Sequence, residues 1–382
     1  MRLLRSLLAA AVLCASVAAP ALASPAPPQP PDPAVLDAAR AKVAAGDTKG
    51  AIEGLAPYVA AHRTDLAAGR LLGDLYFRVP DFADAEKTWK AVLAVAPDDR
   101  ETHNRLGSLY AAEDRVGDAI AEFQKSLPEQ HAYSGLVMAH KKAGDLEPWL
   151  TGLQLDAESH RFDPARWSDL GRVRRAMRDY DRALEAFDHV VALRPNSCDA
   201  RVDVANALVD LGRIDPAIDH LQKCVAREPD FYAAVVNLGE AYLEKRQIPK
   251  AVPYLDRALA LRPNGTEALV DIGYVRDMQV DWKSAVTYYN RAILSDPLRP
   301  EAYINLGYDY NAQRLYPLAE AAFLKGISAT AEDGRLHYLL AVTYNLQGKI
   351  ALARAQYKDA VASGEPIVVQ AAQREMALLP PS

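Results

Sequence analysis

The sequence has few of the features that mark enzymes and membrane proteins. It contains three cysteines in 382 residues, no GxSxG, HExxH or CxxC motif, and no glycine-rich phosphate loop. Its eight histidines never stand three or four residues apart, which is the spacing of metal ligands on one helix face. Beyond the first two dozen residues, no apolar run approaches the roughly eighteen residues that a membrane-spanning helix needs. We therefore predict a protein that is not an enzyme and has no cofactor or metal site.

The chain also lacks an excess of positive charge. It carries 44 lysines and arginines against 50 aspartates and glutamates, which gives a formal net charge of -6. Nucleic-acid binding depends on concentrated lysine and arginine side chains that neutralise phosphates, so we predict no nucleic-acid partner. The length suits two or three ordinary domains or one long repeat array.

The first residues are typical of a secretory signal peptide. Arg2 and Arg5 precede an apolar stretch at 7–19, and Ala21-Leu22-Ala23 forms a small-x-small cleavage pattern. We predict a signal at 1–23, export to a periplasm or the exterior, and no stable membrane insertion after cleavage; an uncleaved anchor is the alternative. Lipidation of Cys14 is rejected because Leu13 stands where a small residue is required. Six prolines at 24–33 predict an extended spacer.

What the sequence does contain is an internal repeat of 34 residues. Six consecutive blocks occupy 164–197, 198–231, 232–265, 266–299, 300–333 and 334–367. Position eight of each block is glycine or alanine, position twenty is alanine, and position twenty-four is large and apolar. The small residues let two antiparallel helices approach closely, and the large residue fills the gap beside them. Each hairpin leaves apolar surface that only stacking on its neighbours covers.

This pattern resembles the tetratricopeptide repeat family. The same register continues at 66–99 and 100–129, and more loosely at 32–65. The resemblance implies an all-α fold, a right-handed superhelical solenoid of about ten helical hairpins with a C-terminal capping helix. We expect an N-terminal sub-array at 34–163, a C-terminal sub-array of six regular repeats at 164–365, and the capping helix and tail at 366–382.

Two irregularities interrupt the pattern. Around 130–163 the register places Val137 and Trp149 where small residues belong, which predicts a bent joint between the sub-arrays or a degenerate repeat that packs normally. Pro253 falls within a second helix and is expected to kink it or delay its start.

Cys198 and Cys224 occupy the first and twenty-seventh positions of one block. In an antiparallel hairpin the start of the first helix lies beside the end of the second. An exported protein meets an oxidising compartment, so we predict a disulfide between them. The alternative is two buried structural thiols.

The resemblance also implies a ligand-binding ladder on the concave face. It consists of position-six residues of five consecutive blocks, flanked by tyrosines at position nine: Asp169, Asp203, Asn237, Asp271, Asn305, Tyr274 and Tyr308. In related arrays such asparagines grip an extended peptide backbone, because an amide both donates and accepts hydrogen bonds. The aspartates here predict an acidic strip together with five nearby acids: Asp199, Glu240, Glu267, Asp277 and Glu301. Arg172 and Arg175 predict a basic patch. The alternative is an ordinary solvated helix face.

We therefore predict a non-catalytic protein–protein interaction scaffold whose concave groove binds protein or peptide segments, and the acidic strip favours basic ones. Envelope assembly, secretion or polymer export are the roles expected of it. The alternatives are a self-assembling structural protein and a regulatory accessory subunit of a carbohydrate-processing complex.

Overall fold

The computed structural model describes residues 32–330 and 333–380. The predicted signal peptide and nearly all of the predicted spacer lie outside these ranges. Within them the chain forms 21 α-helices and no β-strand. The prediction of an all-α superhelical repeat fold is confirmed.

Twenty of the helices form ten antiparallel hairpins, which we number repeats 1 to 10 in chain order. Repeats 1 to 5 contain α1 (Pro33–Ala44), α2 (Thr48–Ala61), α3 (Leu66–Arg78), α4 (Phe82–Val95), α5 (Arg100–Ala112), α6 (Val116–Ser126), α7 (Gln130–Ala143), α8 (Leu146–Ser159), α9 (Pro164–Ala176) and α10 (Tyr180–Leu193). Repeats 6 to 10 contain α11 (Cys198–Asp210), α12 (Ile214–Arg227), α13 (Tyr232–Glu244), α14 (Ile248–Leu261), α15 (Thr266–Met278), α16 (Trp282–Ser295), α17 (Pro300–Ala312), α18 (Tyr316–Thr330), α19 (Gly334–Leu346) and α20 (Ile350–Ala362). The last helix, α21 (Pro366–Leu378), packs on α19 and α20 and buries Val368 and Ala372.

The repeated small and large residues close each hairpin as the spacing predicts. In repeat 5, a Cβ atom added to Gly171 would lie 2.5 Å from the ring of Phe187, and Gly273 meets Tyr289 in the same way in repeat 8. The position-twenty alanines of these two repeats, Ala183 and Ala285, are fully buried. In these two repeats a side chain at position eight would therefore collide with the ring at position twenty-four.

Repeat 4 differs from its neighbours in how its second helix packs. Helix α8 buries only Leu150 and Ala157, and α7 also contacts α9 directly. Trp149 stands where alanine is usual and stacks on His140 with ring centroids 4.2 Å apart. One apolar cluster nevertheless runs from Tyr133 of α7 to Val173 of α9, so the core continues through this repeat.

Helix α14 runs unbroken from Ile248 through Pro253, so the predicted delay of its start is wrong. Ala251 and Leu255 are buried on either side of this proline.

The array returns on itself after seven repeats. Helix α1 of repeat 1 packs against α16 and α18 of repeats 8 and 9, and we call this the closing contact. Leu36 and Val43 belong to the same buried cluster as Ile293 and Leu306. The repeat pattern describes only contacts between neighbouring repeats, so it does not predict the closing contact. That contact results from small rotations summed over many repeats.

Candidate functional site

The polar side chains of the first helices pair across repeat boundaries. Position six of one repeat faces position nine of the preceding repeat, 31 residues earlier, and we call each such pair a rung. Three rungs are hydrogen-bonded: Asp74–Arg105 (2.5 and 3.0 Å), Arg172–Asp203 (2.9 Å) and Asn206–Asn237 (2.7 Å). The predicted ladder residues Asp203 and Asn237 are therefore each bound to a neighbouring repeat.

Asp169 also has a partner inside the protein. Its Oδ1 atom accepts a hydrogen bond from the Tyr133 hydroxyl of repeat 4 at 2.5 Å. The guanidinium of Arg172 lies 5.8 Å from the centre of the Tyr133 ring. Burial, followed by the neighbouring Asp169, raises the pKa of Tyr133, so the hydroxyl stays protonated as the donor.

The predicted basic patch is wrong, since both of its arginines are neutralised. Arg172 pairs with Asp203, and Arg175 contacts Asp210 at 2.5 Å. A guanidinium held by a carboxylate of the next repeat contributes to inter-repeat packing and presents no free positive charge.

The rung between repeats 7 and 8 departs from the others because both of its members are acids. Glu240 and Asp271 make no ion pair or hydrogen bond within the part of the chain that the structure describes, and Oδ2 of Asp271 is buried without a partner. Burial is the main cause that raises the pKa of both carboxyl groups. The second cause is the charge of a neighbouring acid, which is Glu267 for Glu240 and Glu240 for Asp271. Two half-buried carboxylates in one place resist simultaneous ionisation.

The acids along the rim of this groove are compensated, in contrast to the predicted acidic strip. Arg299 contacts Glu267 at 2.5 Å and Glu301 at 3.6 Å, and Arg335 contacts Glu301 at 3.1 Å. Tyr232, on the same face, has a buried hydroxyl without a hydrogen-bond partner. At this rung the buried polar atoms without a hydrogen-bond partner are Oδ2 of Asp271 and the Tyr232 hydroxyl.

The remaining predicted ladder residues lie one and two repeats further on. Tyr274 and Tyr308 are 41% and 54% exposed and present their rings to solvent. Asn305 is half-buried and occupies position six opposite Tyr274. These side chains extend the groove beyond the acidic rung as a polar and aromatic surface.

A second pair of acids lies deeper between repeats 8 and 9. Asp309 is buried, and burial together with the charge of Asp277 raises its pKa to about 6. Oδ1 of Asp309 accepts from the Gln313 amide at 3.0 Å, whereas Oδ2 has no partner. Asp277 accepts a hydrogen bond from the Tyr289 hydroxyl at 2.5 Å.

Cys198 and Cys224 stand at the start of α11 and near the end of α12, with Cα atoms 5.1 Å apart and their sulfurs joined as a disulfide. Both residues are buried in the core of repeat 6. We expect the unfolded, non-reduced mature chain to contain no titratable thiol; two reactive thiols would contradict the pairing.

No helix within residues 32–330 and 333–380 is long and apolar enough to cross a membrane. The same ranges contain no group of three or more side chains suited to holding a metal ion.

The fold and the groove define a helical-hairpin repeat protein with a polar concave face. Tetratricopeptide repeat models match residues 70–135, 202–266 and 279–332, and a second tetratricopeptide repeat model matches 174–223. Together these segments cover more than half of the chain, which belongs to the tetratricopeptide repeat family. Repeats of this family generally bind protein partners, and proteins built from them are typically non-catalytic scaffolds.

Two solved structures are similar to the chain. The anaphase-promoting complex hetero-tetramer Cut9–Hcn1 matches with 17% identity and a TM-score of 0.50, covering 89% of this chain and 83% of that one. A tetratricopeptide repeat protein from Parabacteroides merdae matches with 14% identity and a TM-score of 0.49, covering 72% and 97%. No curated protein matches the chain.

Proposed function

We propose that the chain is an exported scaffold whose concave groove binds a partner segment through a lysine or arginine side chain. The observation that carries this proposal is the acidic rung Glu240–Asp271. The three hydrogen-bonded rungs are satisfied from within the protein, whereas the two carboxyl groups of this rung make no ion pair or hydrogen bond with any residue that the structure describes, and the charge of Arg299 opposes theirs only from a distance.

A basic side chain is the ligand group that this rung fits. Burying a charge is costly unless it is paired, and a guanidinium offers several donors to two carboxylates at once. Inserting it would allow both acids to ionise and would supply partners for their free oxygens. Calcium is a poorer fit, because it takes six to eight oxygen ligands and the rung offers two side chains.

Tyr274, Asn305 and Tyr308 provide the surface on which the rest of such a segment would lie. Tyrosine rings supply amphipathic contact area, and an amide can both donate to and accept from an extended backbone. Each such hydrogen bond is worth about 0.5–1.5 kcal/mol net, so the charged anchor and the surrounding surface must act together.

Export rests on the sequence of residues 1–23, and a disulfide between Cys198 and Cys224 suits an oxidising compartment. Envelope assembly, secretion and polymer export are the settings in which such a scaffold would act. A self-assembling protein would show a concentration-dependent mass in light scattering. An accessory subunit of a carbohydrate-processing complex would be retained on a polysaccharide gel.

The groove is tested with an acetylated and amidated alanine peptide that carries one central arginine. Its counterpart carries citrulline, which keeps the shape and removes the charge. Fluorescence anisotropy on residues 24–382 should give at least tenfold tighter binding of the arginine peptide. Glu240→Gln with Asp271→Asn should abolish that preference.

Asp256→Asn is the matched control for this experiment. Asp256 is exposed on the second helix of repeat 7, the repeat that carries Glu240. This variant should keep the full preference for arginine. Equal binding of the two peptides to the unaltered protein would refute the proposed groove.

A further inference from the structure

A cavity lies at the closing contact, where α1 meets the helices of repeats 8 and 9. Its volume is about 490 Å³, which falls within the roughly 300–1,000 Å³ that is typical of small-molecule sites. Ala41, Ala44 and Ala45 of α1 line one side. Helices α16, α17 and α18 line the other side, where Ile293 and Leu306 are buried. The cavity therefore separates two parts of the chain that only the closing contact brings together.

The polar groups of the cavity wall are few and mostly engaged. The Tyr303 hydroxyl donates to the carbonyl of Pro297 at 3.1 Å, and the Asn290 amide donates to the carbonyl of Val286 at 2.8 Å. None of the described residues that line the cavity has a buried side-chain polar atom without a hydrogen-bond partner. A ligand that fills the cavity therefore needs an apolar body, because a polar one would lose its hydrogen bonds to water without replacing them.

Two leucines of the wall remain in contact with water at the open edge of the cavity. Leu294 of α16 is 50% exposed and Leu318 of α18 is 48% exposed. The residues of α1 across from them are alanines, which are too short to cover these leucines. An aliphatic chain lying between the two sides would remove this apolar surface from water, which is favourable in proportion to the area covered.

Lys325 of α18 supplies a positive charge to the otherwise neutral lining. No aspartate or glutamate is among the described residues that line the cavity. Lys325 is exposed and makes no ion pair or hydrogen bond with any residue that the structure describes. A lysine ammonium at the edge of an apolar cavity matches a ligand with an apolar body and an anionic end.

We propose that this cavity binds one monomeric long-chain carboxylate. The aliphatic chain lies between the alanines of α1 and the leucines of repeats 8 and 9, and the carboxylate pairs with Lys325. The site is independent of the concave groove and of its acidic rung. Because the two walls belong to opposite sides of the closing contact, the bound chain also holds repeat 1 against repeats 8 and 9.

The test is isothermal titration of residues 24–382 with dodecanoate below its micelle concentration. Hexanoate should bind at least about a hundredfold more weakly, because each buried methylene contributes about fourfold in affinity. Dodecyltrimethylammonium, which has the same chain length and the opposite charge, should bind at least about tenfold more weakly than dodecanoate, because Lys325 repels it. Equal affinity for the two chain lengths or for the two head groups would overturn the proposal.

Two substitutions separate the chain from the head group. Ala44→Leu extends a wall residue into the cavity and should weaken dodecanoate binding at least about tenfold, whereas Ala61→Leu, at the exposed end of α2, should not. Lys325→Glu should reverse the preference between dodecanoate and dodecyltrimethylammonium. Lys283→Glu makes the same charge change at an exposed position near the start of α16 and should keep the original preference. An unchanged preference in Lys325→Glu would refute the assignment even if Ala44→Leu failed to fold.

Two further measurements locate the ligand and exclude a membrane. Hydrogen exchange of the α1 amides should slow at least about threefold when dodecanoate is bound, because the ligand holds this terminal helix in place. Unchanged exchange in α1 would contradict a site at the closing contact. Phosphatidylglycerol vesicles present similar chains in a bilayer, and the protein should not sediment with them. Sedimentation that Ala44→Leu does not reduce would reassign the exposed leucines to a membrane surface and overturn the proposal.

Discussion

Two successive rungs of one groove are built from the same positions and differ in their chemistry. Between repeats 6 and 7, Asn237 donates to Asn206 at 2.7 Å, and the two amides satisfy each other. Between repeats 7 and 8, the corresponding residues are Glu240 and Asp271, which repel each other when ionised. The first rung is satisfied from within the protein, and we propose that a cation completes the second. The comparison separates residues that stabilise the array from residues that we propose bind a ligand.

The largest effect should come from breaking a satisfied rung. Arg172→Met leaves Asp203 without its guanidinium partner between repeats 5 and 6, and also removes the cation above Tyr133. Removing one partner of a buried pair is strongly destabilising, so we expect a loss of about 3 kcal/mol in the free energy of unfolding. Urea unfolding followed by circular dichroism measures it. A loss below that of an exposed-charge variant such as Asp256→Asn would contradict this assignment.

A smaller effect of opposite sign should follow from repairing the acidic rung. Glu240→Asn with Asp271→Asn recreates the amide pair found one repeat earlier. We expect the free energy of unfolding at pH 7 to rise by about 1–2 kcal/mol, because two opposed carboxyl groups become a hydrogen-bonded pair. The same variant should lose its preference for the arginine peptide. Destabilisation by this double substitution would show that the two acids support the fold.

Removing the donor of the satisfied amide rung should cost less than breaking the ion pair. Asn237→Ala leaves the half-buried Asn206 carbonyl without its partner, and we expect a loss of about 1 kcal/mol. Differential scanning calorimetry on this variant and on Asn206→Ala with Asn237→Ala sharpens the comparison. The double variant should be no less stable than the single one if the two amides mainly serve each other.

The last effect should be a change in the pH dependence of stability, and not in stability at pH 7, at the Asp277–Asp309 pair. The folded-state pKa of Asp309 is raised to about 6, above the ordinary value of 3.8. The folded state therefore binds the proton more tightly than the unfolded state, so this group's contribution falls as pH rises from about 4 to about 6. Unfolding of Asp309→Asn, measured across that range, should lack this decline. Parallel pH profiles for the two proteins would contradict the raised pKa.

The fold could be predicted from the sequence because its determinants are local and repeated. Gly171 with Phe187 and Gly273 with Tyr289 recur at one fixed spacing, and that spacing alone brings two helices together. The position-six ladder was predicted from the same register. The chemistry of the ladder was not predicted, because each position-six residue faces the position-nine residue of the preceding repeat. Pairing residues 31 apart would have matched Arg172 with Asp203 and shown that Glu240 meets Asp271.

The cavity that Arg78 and Leu298 line between two turns of the superhelix lay beyond such reasoning. Arg78 and Leu298 are far apart in sequence, and no periodic pattern connects them. Their approach depends on the pitch of the superhelix, which is set by small differences in packing at every repeat boundary. The same applies to repeat 4, where the stacking of Trp149 on His140 replaces a close contact between helices.

The closing contact also changes how the array should fold. A solenoid normally unravels from either end, because each repeat touches only its neighbours and the mean sequence separation of its contacts is short. Here the packing of α1 on α16 and α18 joins residues more than two hundred positions apart, so the first repeat is held by repeats 8 and 9. Fraying at the amino terminus therefore becomes a cooperative event that also exposes repeats 8 and 9. Deleting repeat 1 removes a long-range contact together with a terminal unit.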